Sequence, residues 1–293
     1  MGNCKSILCG LGLGLAFAVQ ATAADAPKLA FKFTANSVPG ALQTFPGGVN
    51  NKGVTVGQYQ DQNSGLHGYI LKGKNVITLD DPNGTSTGAN NLNPSGAIRV
   101  VGAYVNSSGA SVGFLYKSGE YTDIPGPTGA IGTTAAGIND SGAIVGYYAD
   151  SAGITHGFLL AGETYTTLDV PGAIATYATG INKKGTIVLY WMDSSGVLNS
   201  SVYNGTTYNT INVPKASGSA ALDLNTAGDV TYEWMDPSGA AHGALLHGGK
   251  YYKFDFPKAK YTYAGGINDK HTIAGGYEAT SEGPFQGFNA TYK

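Results

Sequence analysis

The chain repeats one pattern every 43 residues, six times over. Cognate positions fall at Val49, Leu92, Ile138, Ile181, Leu224 and Ile267, with spacings of 43, 46, 43, 43 and 43 residues. A period of this size means one supersecondary unit, stacked so that each copy buries its apolar faces against its neighbours. A length of 293 residues alone would suggest about two domains. The repeat points instead to a single closed or stacked body covering residues 24–293.

Each copy holds four short segments rich in Val, Ile, Tyr, Phe and Thr, separated by turn residues, which is the signature of strands. In the third copy they are Ala143–Ala149, Ile154–Leu160, Tyr165–Val170 and Thr176–Ile181. The turns between them include Asn139-Asp140-Ser141-Gly142 and Asp150-Ser151-Ala152-Gly153. Asn or Asp opens such turns through side-chain bonds to the backbone, and Gly closes them at positive φ. No amphipathic helical period runs through the chain after its N-terminus, so the class is all-β. Four strands in about 43 residues is the size of a propeller blade.

The four strand types are labelled A to D outward from the channel, A being the one that ends in Ile-Asn. The chain ends complement each other in these terms. The C-terminus stops after Gln286-Gly287-Phe288, a strand-C match, and lacks a strand D. Near the N-terminus, Phe31-Lys32-Phe33 followed by Ser37-Val38-Pro39-Gly40 matches the strand-D stretch that ends in Asp169-Val170-Pro171-Gly172. The sequence therefore predicts a six-bladed β-propeller of four-stranded blades, closed by an N-terminal strand near residues 29–40 added to the last blade. Closure removes exposed sheet edges.

The first residues read as an export signal. Lys5 supplies a positive start, Ile7–Val19 an apolar run of 13 residues, and Ala21-Thr22-Ala23 an A-x-A cleavage site. The run is too short to span a bilayer. Cleavage near Ala23 would leave a secreted protein, extracellular or periplasmic, without cysteine, since Cys4 and Cys9 both lie in the signal. Gly2–Ser6 also fits a myristoylation pattern, which explains fewer residues. With one arginine, Arg99, and a net charge of −2 there is no basic face for nucleic acid. The expected state is a monomer with no membrane span.

Residues that recur in every copy read as scaffold. The Asn at 50, 93, 139, 182, 225 and 268 opens a turn, and the aromatics Tyr59, Tyr104, Tyr148, Trp191, Trp234 and Tyr277 suit packing between blades. His67, His156 and His242 share one column on strand C, too far apart for a metal cluster, so local hydrogen bonds are expected of them. Asp80, Asp123, Asp169 and Asp255, with Asn212 and Ser37, precede the Pro turns of the crossing loops and are expected to bond loop backbone. Asp61, Asp150, Asp193 and Asp236 cap the B–C turns. No calcium-loop, zinc or nucleophile-elbow motif stands out.

The ordered G-I-N-x-x-G, I-V-G-Y-Y, H-G-F and D-V-P-G-A segments resemble the HAF-repeat family of extracellular repeat proteins, across nearly the whole chain after the signal. The resemblance implies export and a repeat β-fold, and offers no catalytic residues or cofactor to carry over. The fourth and fifth copies depart from it: Asn199-Ser200-Ser201 replaces His-Gly-Phe, and Leu189 and Tyr232 replace the strand-B glycine.

In a repeat protein, function is sought where the pattern breaks. Trp191, Asp193, Trp234 and Asp236 mark the two divergent copies. Glu233 stands in a column otherwise filled by Gln58, Ala103, Tyr147, Tyr190 and Gly276. Tyr177 and Tyr263 lie near the entrance of strand A. Together these seven form the candidate ligand-binding set, on the face carrying the B–C turns and D–A crossings, with carbohydrate or another surface ligand as partner. No cofactor, metal or catalytic residue is assigned, because strand A offers mainly Ala, Gly, Thr and Tyr with no set of inward carboxylates. A hydrolase or lactonase-like enzyme at the channel mouth and a structural or adhesive protein remain the competing readings.

Overall fold

The computed structural model describes residues 29–280 and 283–293. The export signal and cleavage site expected from the sequence lie outside the described residues. All regular structure within them is antiparallel sheet, in six blades of four strands. In chain order, β1 (Phe31–Ala35) is followed by blade one, β2 (Gln43–Val49), β3 (Thr55–Gln60), β4 (Leu66–Lys72) and β5 (Asn75–Leu79). Blade two is β6 (Gly84–Leu92), β7 (Arg99–Asn106), β8 (Ser111–Lys117) and β9 (Glu120–Ile124). Blade three is β10 (Gly132–Ile138), β11 (Ile144–Ala149), β12 (Thr155–Ala161) and β13 (Thr164–Leu168). Blade four is β14 (Ala175–Ile181), β15 (Ile187–Met192), β16 (Leu198–Tyr203) and β17 (Tyr208–Thr210). Blade five is β18 (Gly218–Leu224), β19 (Val230–Met235), β20 (Ala241–His247) and β21 (Lys250–Phe254). Blade six is β22 (Tyr261–Ile267), β23 (Thr272–Glu278) and β24 (Gln286–Tyr292), completed by β1.

The innermost strands touch in sequence, β2 to β6, β10, β14, β18 and β22, and β22 touches β2 again. The protein is thus a closed six-bladed β-propeller. The closing strand is where the sequence places it: β1 pairs with β24 from Phe31 opposite Tyr292 to Ala35 opposite Phe288. Phe31 and Phe33 seal the junction with blade five, their ring centroids 4.4 Å from Phe254 and 5.4 Å from Phe256. The core consists of apolar layers between neighbouring blades. Val56, Ile70 and Leu79 of blade one, for example, pack against Ala89, Leu92 and Val100 of blade two. Each such side chain taken from water contributes about 1.5–3 kcal/mol.

The repeated asparagine has a second role beyond its turn. Asn182 Oδ1 accepts the Lys184 and Thr186 N–H groups at 3.0 and 3.1 Å, the expected cap. Its Nδ2 also donates to the Asn225 carbonyl of the next blade at 3.1 Å. Asn139 donates to Asn182 in the same way, Asn225 to Asn268, and Asn268 to Asn50 across the chain ends. A buried chain of side-chain bonds therefore clasps blades three, four, five, six and one in turn. Asn93 departs from the pattern, its Nδ2 turning to the Ala97 carbonyl of its own turn at 3.0 Å.

The divergence of blades four and five is explained by packing. Paired residues on the second and third strands are Gly57–Tyr69, Gly102–Phe114, Gly146–Phe158 and Gly275–Phe288 in the regular blades. A Cβ at Gly146 would lie 2.8 Å from the Phe158 ring. Blades four and five exchange large and small at the same pairs, as Leu189–Ser201 and Tyr232–Ala244. Both solutions set one large side chain against one small one in the same interior space.

Candidate binding site in the central channel

Every innermost strand carries an irregularity of register, at Gly47, Asn90, Ala136, Thr179 and Leu222 and at Gly265–Gly266. A bulge leaves a residue unpaired and re-aims its side chain, and a bulge residue from each of the six strands lines the central cavity. In the next layer down the strands approach so closely that glycine fills four of six positions. A Cβ at Gly137 would come within 2.8 Å of the Thr179 carbonyl oxygen. The other two positions are Asn91 and Asp223, on opposite blades, near enough across the channel that the Asn91 amide favours the ionised Asp223 carboxyl. Asp223 also accepts the Ile267 N–H at 3.0 Å. Burial pushes its carboxyl up to about 6, against the opposing effect of these donors.

Above this plug, on the side of the B–C turns, lies a cavity of about 140 Å³. Its walls come largely from one column of the second strand, which supplies Gln58, Tyr147, Tyr190 and Glu233. Glu233 lies opposite Ala220, and Gln58 reaches over Gly88 of the next blade, where a Cβ would lie 2.9 Å from its Oε1. In the last blade the arrangement inverts. Gly276 leaves room for Tyr263, whose hydroxyl donates to the Pro46 carbonyl at 3.1 Å. Tyr190 and Tyr147 complete the aromatic wall, and Tyr177 backs it, stacked on Tyr190 at 4.5 Å and edge-on to Tyr147 at 5.0 Å.

Glu233 is the charged group of this cavity, 8% exposed. The Tyr261 hydroxyl donates to its Oε1. Burial pushes the carboxyl up to about 7, with the Tyr261 bond acting in the opposite direction. The Tyr190 and Tyr263 hydroxyls are held well above their ordinary range, first by burial. They stay protonated at every physiological pH, so the wall presents ring faces and neutral hydroxyls around one carboxyl.

Of the seven sequence-selected residues, Glu233 and Tyr263 line the cavity and Tyr177 supports it. The other four are not brought to it. Trp191 donates from Nε1 to Ser201 Oγ at 3.0 Å and packs between blades three and four. Trp234 is buried, donates to the Gly243 carbonyl at 3.1 Å, and stacks on His242 at 4.7 Å. Asp193 and Asp236 each hold their own turn, through the Val197 and Ala240 N–H groups, both at 3.0 Å. The expectation that the channel lacks inward carboxylates is corrected by Glu233 and Asp223. The first reaches the channel from the second strand and the second lies within the constriction. Tyr147 and Tyr190 were the residues missed, and their signal was present: the column of Glu233 varies while its neighbour column is always aromatic.

The histidines bond locally, as expected. His67, His156 and His242 meet Asp80, Asp169 and Asp255 through Nδ1 at 2.8, 2.9 and 2.9 Å. Burial lowers the His156 pKa, but its bonds to Asp169 and Asp150 outweigh that and raise it. These aspartates thus bond strand-C side chains, which corrects the expectation that they bond loop backbone. At the same column Asn212 pairs with Asn199 at 2.7 Å and Ser37 with Gln286 at 3.0 Å. Among the described residues no group of three or more His, Cys, Asp and Glu side chains could hold a metal ion. Among them no helix is long and apolar enough to cross a membrane.

No family model and no curated protein matches the sequence. Among solved structures, the chain is similar to AofleA from Arthrobotrys oligospora, with a TM-score of 0.55 and 11% identity over 88% of this chain and 85% of that one. It is also similar to the SapL1 lectin in complex with alpha methyl fucoside, with a TM-score of 0.53 and 13% identity over 87% and 95%. Trypanosoma rangeli sialidase gives a TM-score of 0.53 and 10% identity over 90% of this chain and 59% of its own length. At such identities the likeness is one of fold. A fold shared by a lectin and a sialidase leaves function to the site.

Proposed function

We propose that the protein is an exported carbohydrate-binding β-propeller whose ligand enters the channel cavity beside Glu233. The observation that carries this reading is the convergence of tyrosines from blades three, four and six on one carboxyl above a plugged constriction. Ring faces cover the apolar face of a sugar, while a carboxyl, the Gln58 amide and hydroxyls meet its hydroxyl groups. The likeness to a lectin seen with a fucoside supports a sugar as ligand class. Export rests on the N-terminal segment and on the HAF-repeat resemblance, and cell fractionation would test it. The reading predicts that the purified protein binds on a glycan array and that Tyr190→Ala abolishes binding at unchanged fold. It also predicts that Trp191→Phe, outside the cavity, binds as the wild type does. Equal loss in both variants, or loss in neither, would move the site elsewhere.

A hydrolytic reading draws on one feature: a buried carboxyl raised to about 7 and bonded to a tyrosine hydroxyl is poised as a general acid. Release of the chromophore from nitrophenyl glycosides, lost in Glu233→Gln, would favour it over simple binding.

A further inference from the structure

Glu233 poses a problem of charge. It is 8% exposed, and among the described residues no Lys, Arg or His forms an ion pair with it. The lone arginine lies at the opposite end of the ring, where Arg99 donates to the Asp140 carbonyl at 2.6 Å. A buried carboxylate without a cation is costly, and a partner that brings one recovers that cost. The rings of Tyr147, Tyr190, Tyr263 and Phe45 line the same cavity, with Gln58, Asn90, Asn91 and Thr179 between them and no cationic side chain. Ring faces attract cations, best where water is excluded. A buried acid held by the Tyr261 hydroxyl but by no cation, beside several ring faces, is complementary to an organic cation more than to a neutral hydroxyl.

We propose that the cavity takes the ammonium group of an amino sugar that is not N-acetylated, seated between the Glu233 carboxylate and the tyrosine faces. This inference rests on the carbohydrate reading above and narrows it to a ligand class. Burial raises the Glu233 carboxyl, so an arriving ammonium group also favours its ionised form. N-acetylation would remove both the charge and two of the three donors, leaving the acid without a cation.

Calorimetric titration of the purified protein at pH 7 with four probes tests the proposal: glucosamine, glucose, N-acetylglucosamine and cyclohexylamine. The expected result is glucosamine binding at least about tenfold more tightly than glucose or N-acetylglucosamine, a preference that disappears in Glu233→Gln. Glucose binding as tightly as glucosamine would overturn the ammonium site and leave the carbohydrate reading standing. Binding of cyclohexylamine alone, dependent on Glu233, would keep the ammonium site and overturn the carbohydrate reading. Binding of none would overturn both. The wild-type comparison decides the first point even if the variant folds poorly.

Discussion

Tyr232 lies directly opposite Ala244 on paired strands, whereas in the third blade Gly146 lies directly opposite Phe158. The two pairs are the same device with the large side chain moved from one strand to the other. Tyr232 alone should therefore be hard to remove: Tyr232→Gly should cost about 3–5 kcal/mol, as for a large core side chain lost. Ala244→Phe alone overpacks and should cost about 1–3 kcal/mol. The double variant restores the pattern of the other blades and should be less destabilised than the sum by about 1–3 kcal/mol. Urea unfolding of the three variants measures this; additive costs would show that the two positions do not share one volume.

The asparagine clasp separates turn capping from contact between blades. Asn182→Asp keeps the acceptor for Lys184 and Thr186 but loses the donation to the Asn225 carbonyl. It should destabilise by about 1–3 kcal/mol, because a buried acceptor is left unmet and a carboxylate faces it. Asn93 serves as no control, since its Nδ2 faces the Ala97 carbonyl of its own turn and the Asp140 carboxylate of the next blade. Thermal melts of Asn182→Asp and the wild type measure the loss, and an unchanged Tm would show that the clasp adds no stability.

Removing the chain through Pro39 deletes β1 and takes Phe31 and Phe33 from the junction with Phe254 and Phe256. It also leaves β24 as an open sheet edge, prone to pairing with another chain. The truncated protein should lose more than about 10 °C in Tm, beyond the 2–4 °C that 1 kcal/mol shifts a chain of this size, or aggregate on purification. An unchanged melt would mean that the ring holds without its closing strand.

Stability should fall as pH rises through the range set by Glu233. Its carboxyl goes from an ordinary 4.5 to about 7 on folding, so the folded chain holds a proton that the unfolded chain has released. The stabilisation is complete below about 4.5 and lost as pH passes 7, an effect of about 3 kcal/mol from this one group. Asp223, raised from 3.8 to about 6, adds a similar slope at lower pH. Glu233→Gln should flatten the upper part of the profile and be more stable than the wild type at pH 8. Unfolding free energies at pH 5, 7 and 8 give the test, and parallel profiles would contradict the burial of an acid without a cation.

The architecture was legible because it depends on period and turn chemistry. The spacing of Asn139, Asn182 and Asn225, and the match of Phe31-Lys32-Phe33 to a strand-D segment, are properties of the chain read in line. The channel site was only half legible. Glu233 could be singled out as a pattern break, and Tyr263 by its place near the entrance of strand A. That Tyr147 and Tyr190 meet them follows from the bulge in each innermost strand, which the repeat hides because all six copies share it. Trp191 and Trp234 lie outside the cavity for a related reason. Their blades diverge through cross-strand volume exchange, which is visible only once the register pairs Leu189 with Ser201 and Tyr232 with Ala244.

The proposed ligand sits in the channel and not on the outer rim of the blades. A crystal structure of the protein soaked with a sugar that it binds in solution tests this placement. Density is expected above Asn91 and Asp223, in contact with Glu233, Tyr190 and Tyr263. Density against Trp191 or between the outer strands of neighbouring blades, with the channel cavity empty, would contradict it.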